Sequence, residues 1–143
     1  PEGDTPAQCR AGGRILRDYV PVGFLVRLLW SAATRSWPAG RFMAFNIGTG
    51  RGMTNGEIAD IVITTLEAEG LHLRITWDSP LKPGESNAIV LDMTETTDVF
   101  QCPVPDPDAV VDSVRQAVLT RLRQQPQDGS LLRRVGSATS KFE

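Results

Sequence analysis

At 143 residues, with 41% hydrophobic and 22% charged side chains, the chain has the composition of one globular domain that buries roughly two thirds of its unfolded surface. Its 15 basic and 17 acidic residues are intermixed and leave a net charge of −2, which gives no electrostatic footprint for nucleic acid or an anionic membrane. No apolar run approaches the ~18 residues that span a bilayer, and the most apolar stretch, Val20–Ala33, is broken by Arg27.

The chain opens on Pro1 rather than Met, so a processed or excised stretch is expected, and residues 1–11 read as a loop or cut edge. Ala11-Gly12-Gly13 makes a turn, and Ile15–Val20 is a short extended segment ending at Pro21. Val22–Thr34 predicts a mostly buried helix, closed by Ser36-Trp37-Pro38-Ala39-Gly40. Phe42–Ile47 reads as a short apolar strand, with Gly48–Gly52 as the loop after it.

The next helix carries the clearest start signal. Thr54 and Glu57 form a T-x-x-E capping box, in which each side chain satisfies an orphan N–H of the first turn. Ile58, Ile61, Val62 and Leu66 share one face, and Gly70 stands where a left-handed cap is needed. Leu71–Trp77 alternates as a strand should, Ser79–Asn87 is a loop, and Ile89–Leu91 is another short strand. A last helix opens with Asp106 as N-cap and Pro107 at its first position, with Val110, Val111, Val114, Ala117, Val118 and Leu122 on one face. Residues 126–143 lack a sustained period and read as a mobile tail. Strands alternating with helices make the chain α/β.

Cys9 and Cys102 match no metal or redox spacing, so reduced thiols in a cytoplasmic protein are expected, with a disulfide as the alternative. The one histidine, His72, excludes a histidine-rich metal site and reads as a solvent-facing strand residue. Gly48-Thr49-Gly50-Arg51-Gly52 between a strand and a helix imitates a dinucleotide fingerprint. The third glycine would have to stand at position 53, where the chain has Met53, and no acidic residue ends a second strand about 20 positions on. A tight turn feeding a helix is the plainer reading of that loop.

Three stretches carry a family likeness: Gly13-Arg14-Ile15-Leu16-Arg17-Asp18-Tyr19-Val20-Pro21-Val22; Phe45–Thr54 with the following Glu57, Ile58 and Ala59; and Lys82-Pro83-Gly84-Glu85 leading to Val90-Leu91-Asp92. In this order they resemble the C-terminal part of extended short-chain dehydrogenases, the family of UDP-glucose 4-epimerase and related NAD-dependent sugar-nucleotide epimerases and dehydratases. The resemblance covers residues 12–125. It implies an α/β fold that is the substrate-binding portion of an extended Rossmann-type enzyme, with the N-terminal nucleotide-binding half absent.

The resemblance implies NAD or NADP as cofactor of the complete protein and none for this chain alone. The family's Gly-x-x-Gly-x-x-Gly is missing, and so is its Tyr-x-x-x-Lys pair: Tyr19 is the only tyrosine and Gly23 stands four residues on. It also implies a nucleotide-sugar substrate, the missing Rossmann half as a partner, and a homodimer.

By the same likeness, Arg17 matches the arginine whose guanidinium fork meets the nucleotide phosphates. Lys82 takes the place of a second phosphate-contacting arginine, and Glu85 matches an acidic position that fixes the loop or meets a hydroxyl. The plain alternatives are a surface salt bridge for Arg17, with Asp18 as partner, and an ordinary polar loop for Lys82 and Glu85. The chain departs from the family at Phe24, where an aspartate is usual, near Ile89, where a substrate-facing tyrosine is common, and at Val99-Phe100-Gln101, in place of Leu-Gly-Trp. These departures keep a second function open, a non-catalytic module that binds a nucleotide or a partner protein.

Overall fold

The computed structural model describes residues 7–79 and 83–124; residues 1–6, 80–82 and 125–143, which include Lys82 and the expected tail, lie outside the described residues. The order of elements is β1 (Ala7–Arg10), a 3-10 turn (Ala11–Gly13), β2 (Leu16–Arg17), α1 (Val22–Thr34), β3 (Met53–Thr54), α2 (Asn55–Ala68), β4 (Ile75–Ser79), β5 (Ala88–Ile89), α3 (Thr94–Phe100) and α4 (Pro107–Gln124). The strands form two small sheets. One pairs β1 with β4 in parallel, and the other runs β3-β2-β5, antiparallel on the β3 side and parallel on the β5 side.

The helix starts follow local chemistry. At α2 the Thr54 side chain accepts from the Glu57 N–H while the Glu57 carboxylate accepts from the Thr54 N–H at 2.7 Å, so the capping box is complete. At α4 the Asp106 carboxylate accepts from the Ala109 N–H at 2.8 Å, with Pro107 in the first turn. Gly70 closes α2 with φ +74°, as its position past the last apolar residue requires.

The strands follow their neighbours instead. Ala7–Arg10, read as part of a loop, is a strand because β4 lies beside it, and Leu71–Arg74 is outside β4, which starts at Ile75. Phe42–Ile47, expected as a strand, is in no sheet. A strand exists only through a hydrogen-bonded backbone neighbour, and among the described residues this segment meets side chains and the α3 region instead, with Asn46 bonded to Asp92 and Thr96. His72 is exposed, outside any strand. Helix α3 went unread: three threonines in seven residues weaken the helical signal, although Asp92 accepts from the Thr94 N–H at 2.9 Å as a capping residue would.

The main core gathers Phe24, Leu28 and Met93, with Val20, Ile47, Phe100 and Cys102 packed against it. Phe24 is 1% exposed and is its largest fully buried side chain. Trp37, Phe45 and Phe100 form a tilted and edge-on aromatic trio at centroid distances of 5.1–5.9 Å beside it. Helix α1 corrects the expectation of a mostly buried element. Phe24 and Leu28 face the core, but Val22, Val26, Leu29 and Trp30 stand 54–71% exposed on another side. Cys9 and Cys102 are free thiols.

Candidate functional site

Strand β2 is the axis of the site because it has a partner on each side. Leu16 faces Thr54 of β3 and Ala88 of β5, and Arg17 faces Met53 and Ile89. The Arg17 guanidinium donates from Nη1 to the Leu16 carbonyl at 2.8 Å and from Nη2 to the Ser86 carbonyl at 3.1 Å. It therefore reaches over to the loop that enters β5. Glu85, half-buried, is the residue before Ser86 and is itself engaged in an interaction. The fold thus brings the segments of Arg17 and Glu85 together across β2 and the loop entering β5, while Lys82 lies outside the described residues. A guanidinium has five N–H donors, and the two carbonyls occupy only part of that set.

Neither hydrogen bond of Arg17 goes to Asp18, the salt-bridge partner considered from sequence. The Asp18 carboxylate is filled by other donors. Oδ1 accepts from the Thr49 N–H at 2.7 Å and the Thr49 hydroxyl at 2.6 Å; Oδ2 accepts from the Gly50 N–H at 3.0 Å and the Leu91 N–H at 3.2 Å. The glycine-rich loop therefore turns its amides onto the chain's own carboxylate.

Its glycines serve the same packing. A Cβ on Gly48 would collide with the Asp18 carboxylate, and one on Gly52 with the Leu16 side chain. Donors and space that a dinucleotide pyrophosphate would need are already taken, so the loop does not fit NAD or NADP.

Tyr19 donates its hydroxyl to Asn55 Oδ1 at 2.7 Å. Burial raises its pKa, and the positive charge of Arg17 partly opposes that rise. That hydrogen bond links the chain after β2 to the start of α2. A cleft of about 270 Å³ beside it is lined by Tyr19, Arg51, Met53, Glu57, Asp106 and Val110 among others, but both carboxylates there are spent on helix caps. Among the described residues no cluster of three His, Cys, Asp or Glu side chains could hold a metal ion, and no helix is long and apolar enough to cross a membrane.

Sequence reasoning missed Asp18 as more than a partner for Arg17. Only the fold shows that residues 31 to 73 positions away in the chain converge on it.

An α/β chain with this arrangement has the fold of the C-terminal portion of extended short-chain dehydrogenases. Its fold matches an NAD-dependent NDP-hexosamine 5,6-dehydratase involved in tunicamycin biosynthesis, with a TM-score of 0.66 at 17% identity over 82% of this chain and 36% of that one. It matches the UDP-N-acetylglucosamine 4-epimerase of Methanobrevibacter ruminantium with a TM-score of 0.64 at 18% identity, over 84% of this chain and 36% of that one. It matches the UDP-glucose 4-epimerase of Thermotoga maritima, solved with UDP-glucose, with a TM-score of 0.64 at 21% identity, over 85% and 37%. At such identities the likeness is one of fold. The chain spans little more than a third of the length of these enzymes. No protein-family model and no curated protein sequence matches it.

Proposed function

We propose that this chain is the nucleotide-sugar-binding portion of an NAD-dependent epimerase or dehydratase of the extended short-chain dehydrogenase family, and that it performs no redox or epimerase chemistry by itself. The observation that carries the reading is the Arg17 guanidinium, held between β2 and the loop entering β5 with N–H donors to spare, on a fold shared with enzymes that act on nucleotide sugars. In this reading Arg17 and Lys82 take the diphosphate, and Glu85 meets a hydroxyl or fixes the loop. NAD or NADP belongs to an N-terminal nucleotide-binding half that packs on the exposed side of α1 and on the apolar stretch with Phe42 and Met43. Homodimerisation of the assembled protein is part of the same proposal.

The test is an NMR amide titration of wild type and Arg17→Ala with UDP and with uridine. A charge-assisted hydrogen bond to phosphate is worth about 1.5–3 kcal/mol, or roughly ten- to a hundredfold in affinity. Arg17→Ala should lose that factor for UDP and nothing for uridine. Equal losses for the two ligands would return Arg17 to a purely structural role.

A non-catalytic binding module is the second reading, and Phe24 favours it. A fully buried phenylalanine at a position where the family usually keeps an aspartate marks a chain repacked for stability. An assembled protein that binds nucleotide sugar without turning it over would support that reading.

A further inference from the structure

We propose that Asp18 is the positioning residue of this anion site. Its carboxylate fills a built-in anion hole made by the amides of Thr49, Gly50 and Leu91 and the Thr49 hydroxyl, and so holds Arg17 in register with the loop entering β5. This rests on the reading of Arg17 as a phosphate ligand and adds how the ligand is aimed.

The sheet alone is too small to aim it. β2, β3 and β5 are two residues each, so the ladder around Arg17 supplies few bonds. Asp18 follows Arg17 directly, Thr49 and Gly50 precede β3, and Leu91 follows β5. One carboxylate thus ties together the chain just after β2, before β3 and after β5, next to Arg17, whose guanidinium reaches back to Ser86 ahead of β5.

Charge-assisted bonds are about twice as strong as neutral ones, and this hole is sheltered: Thr49 is 4% exposed and Gly48 is buried. The missing Cβ of Gly48 makes the room for the carboxylate. A guanidinium fixed before the ligand arrives loses less rotamer freedom on binding, which is affinity gained without a new contact.

The carboxylate can be removed and returned. In Asp18→Ala, three N–H groups and a hydroxyl face a vacancy of carboxylate size, which acetate or formate can enter. We expect UDP affinity of the Asp18→Ala chain to fall about tenfold while uridine affinity holds. Millimolar acetate should restore UDP binding, and sodium chloride of equal ionic strength should not. Asp18→Asn, which keeps an acceptor for Thr49 but turns an amide donor toward Gly50 and Leu91, should also lose affinity, with no response to acetate.

Amide dispersion in the NMR spectrum tells folded variants from unfolded ones. If Asp18→Ala does not fold, Asp18→Asn decides, and unchanged UDP affinity there overturns the proposal. A folded Asp18→Ala chain that keeps wild-type affinity, or whose loss acetate leaves untouched, overturns it as well. If Arg17→Ala binds UDP as wild type does, the fault lies in the phosphate reading. If Arg17→Ala weakens binding and Asp18→Ala does not, it lies in the positioning role alone.

Discussion

Thr54 and Glu57 settle the start of α2 between them, and they do so in a way that depends on pH. Hydrogen bonds from the Thr54 N–H and then from the Thr54 hydroxyl lower the Glu57 pKa from its ordinary 4.5, against a small opposing effect of burial. A carboxylate whose folded pKa is depressed stabilises the fold above its unfolded value, and that contribution disappears as pH falls through the folded value. Melting temperature should therefore drop on acidification below about 4.5, the ordinary value for this carboxyl. Asp92, lowered by the Thr94 N–H and hydroxyl, acts in the same direction at the start of α3. Thr54→Ala should cost about 0.5–2 kcal/mol at neutral pH and flatten the acid side of the profile, measured by thermal melts across pH. An unchanged acid limb would place the titration elsewhere.

At the scale of an element, α1 shows how far a pattern goes. Its span, Val22–Thr34, was legible because a mostly apolar stretch, interrupted by Arg27, lies between Pro21 and the Ser36–Gly40 breaker. Its surroundings were not legible, since a helix that is apolar on several sides says only that several sides will be covered. The structure supplies one cover, the core of Phe24, Leu28 and Met93. Phe24→Ala should therefore cost about 3–5 kcal/mol, read by urea unfolding, because it empties a site already 1% exposed.

Gly48→Ala tests a different packing. A methyl group there meets the Asp18 carboxylate and Leu91 Cβ, so a loss of about 1–3 kcal/mol is expected. Stability equal to wild type in Gly48→Ala would mean that the clamp around Asp18 is looser than its hydrogen bonds describe.

The whole molecule carries more apolar surface than its core can use. Val22, Val26, Leu29 and Trp30 stand out from α1, Phe42 is 93% exposed, and a cavity of about 370 Å³ opens among Ala32, Trp37, Arg41, Phe42, Met43 and Phe45. Monomeric proteins rarely leave contiguous patches above a few hundred Å² uncovered. The chain alone should therefore associate and bind an apolar dye, and the pair Trp30→Glu and Phe42→Glu should reduce both effects without lowering helix content. Sedimentation velocity and circular dichroism check this, and a monodisperse wild-type monomer without dye binding would count against an uncovered interface.

The sequence by itself determined what neighbours along the chain can decide. The caps at Thr54 and Asp106, the stop at Gly70 and the reach of α1 and α4 rest on hydrogen bonds and torsions within a few residues. The mismatch of the glycine loop with a dinucleotide fingerprint was legible too, from Met53 in place of the third glycine and from the missing acidic residue further on. Partners distant in sequence were decided by the tertiary structure. Ala7–Arg10 is a strand because β4 accepts it, Phe42–Ile47 is not one because no described strand does, and Asp18 became a clamp because three distant segments bring it their donors. The physical reason is common to all three. A helix satisfies its backbone internally, whereas strands and a half-buried carboxylate such as Asp18 are satisfied by groups that the chain must first fold to deliver.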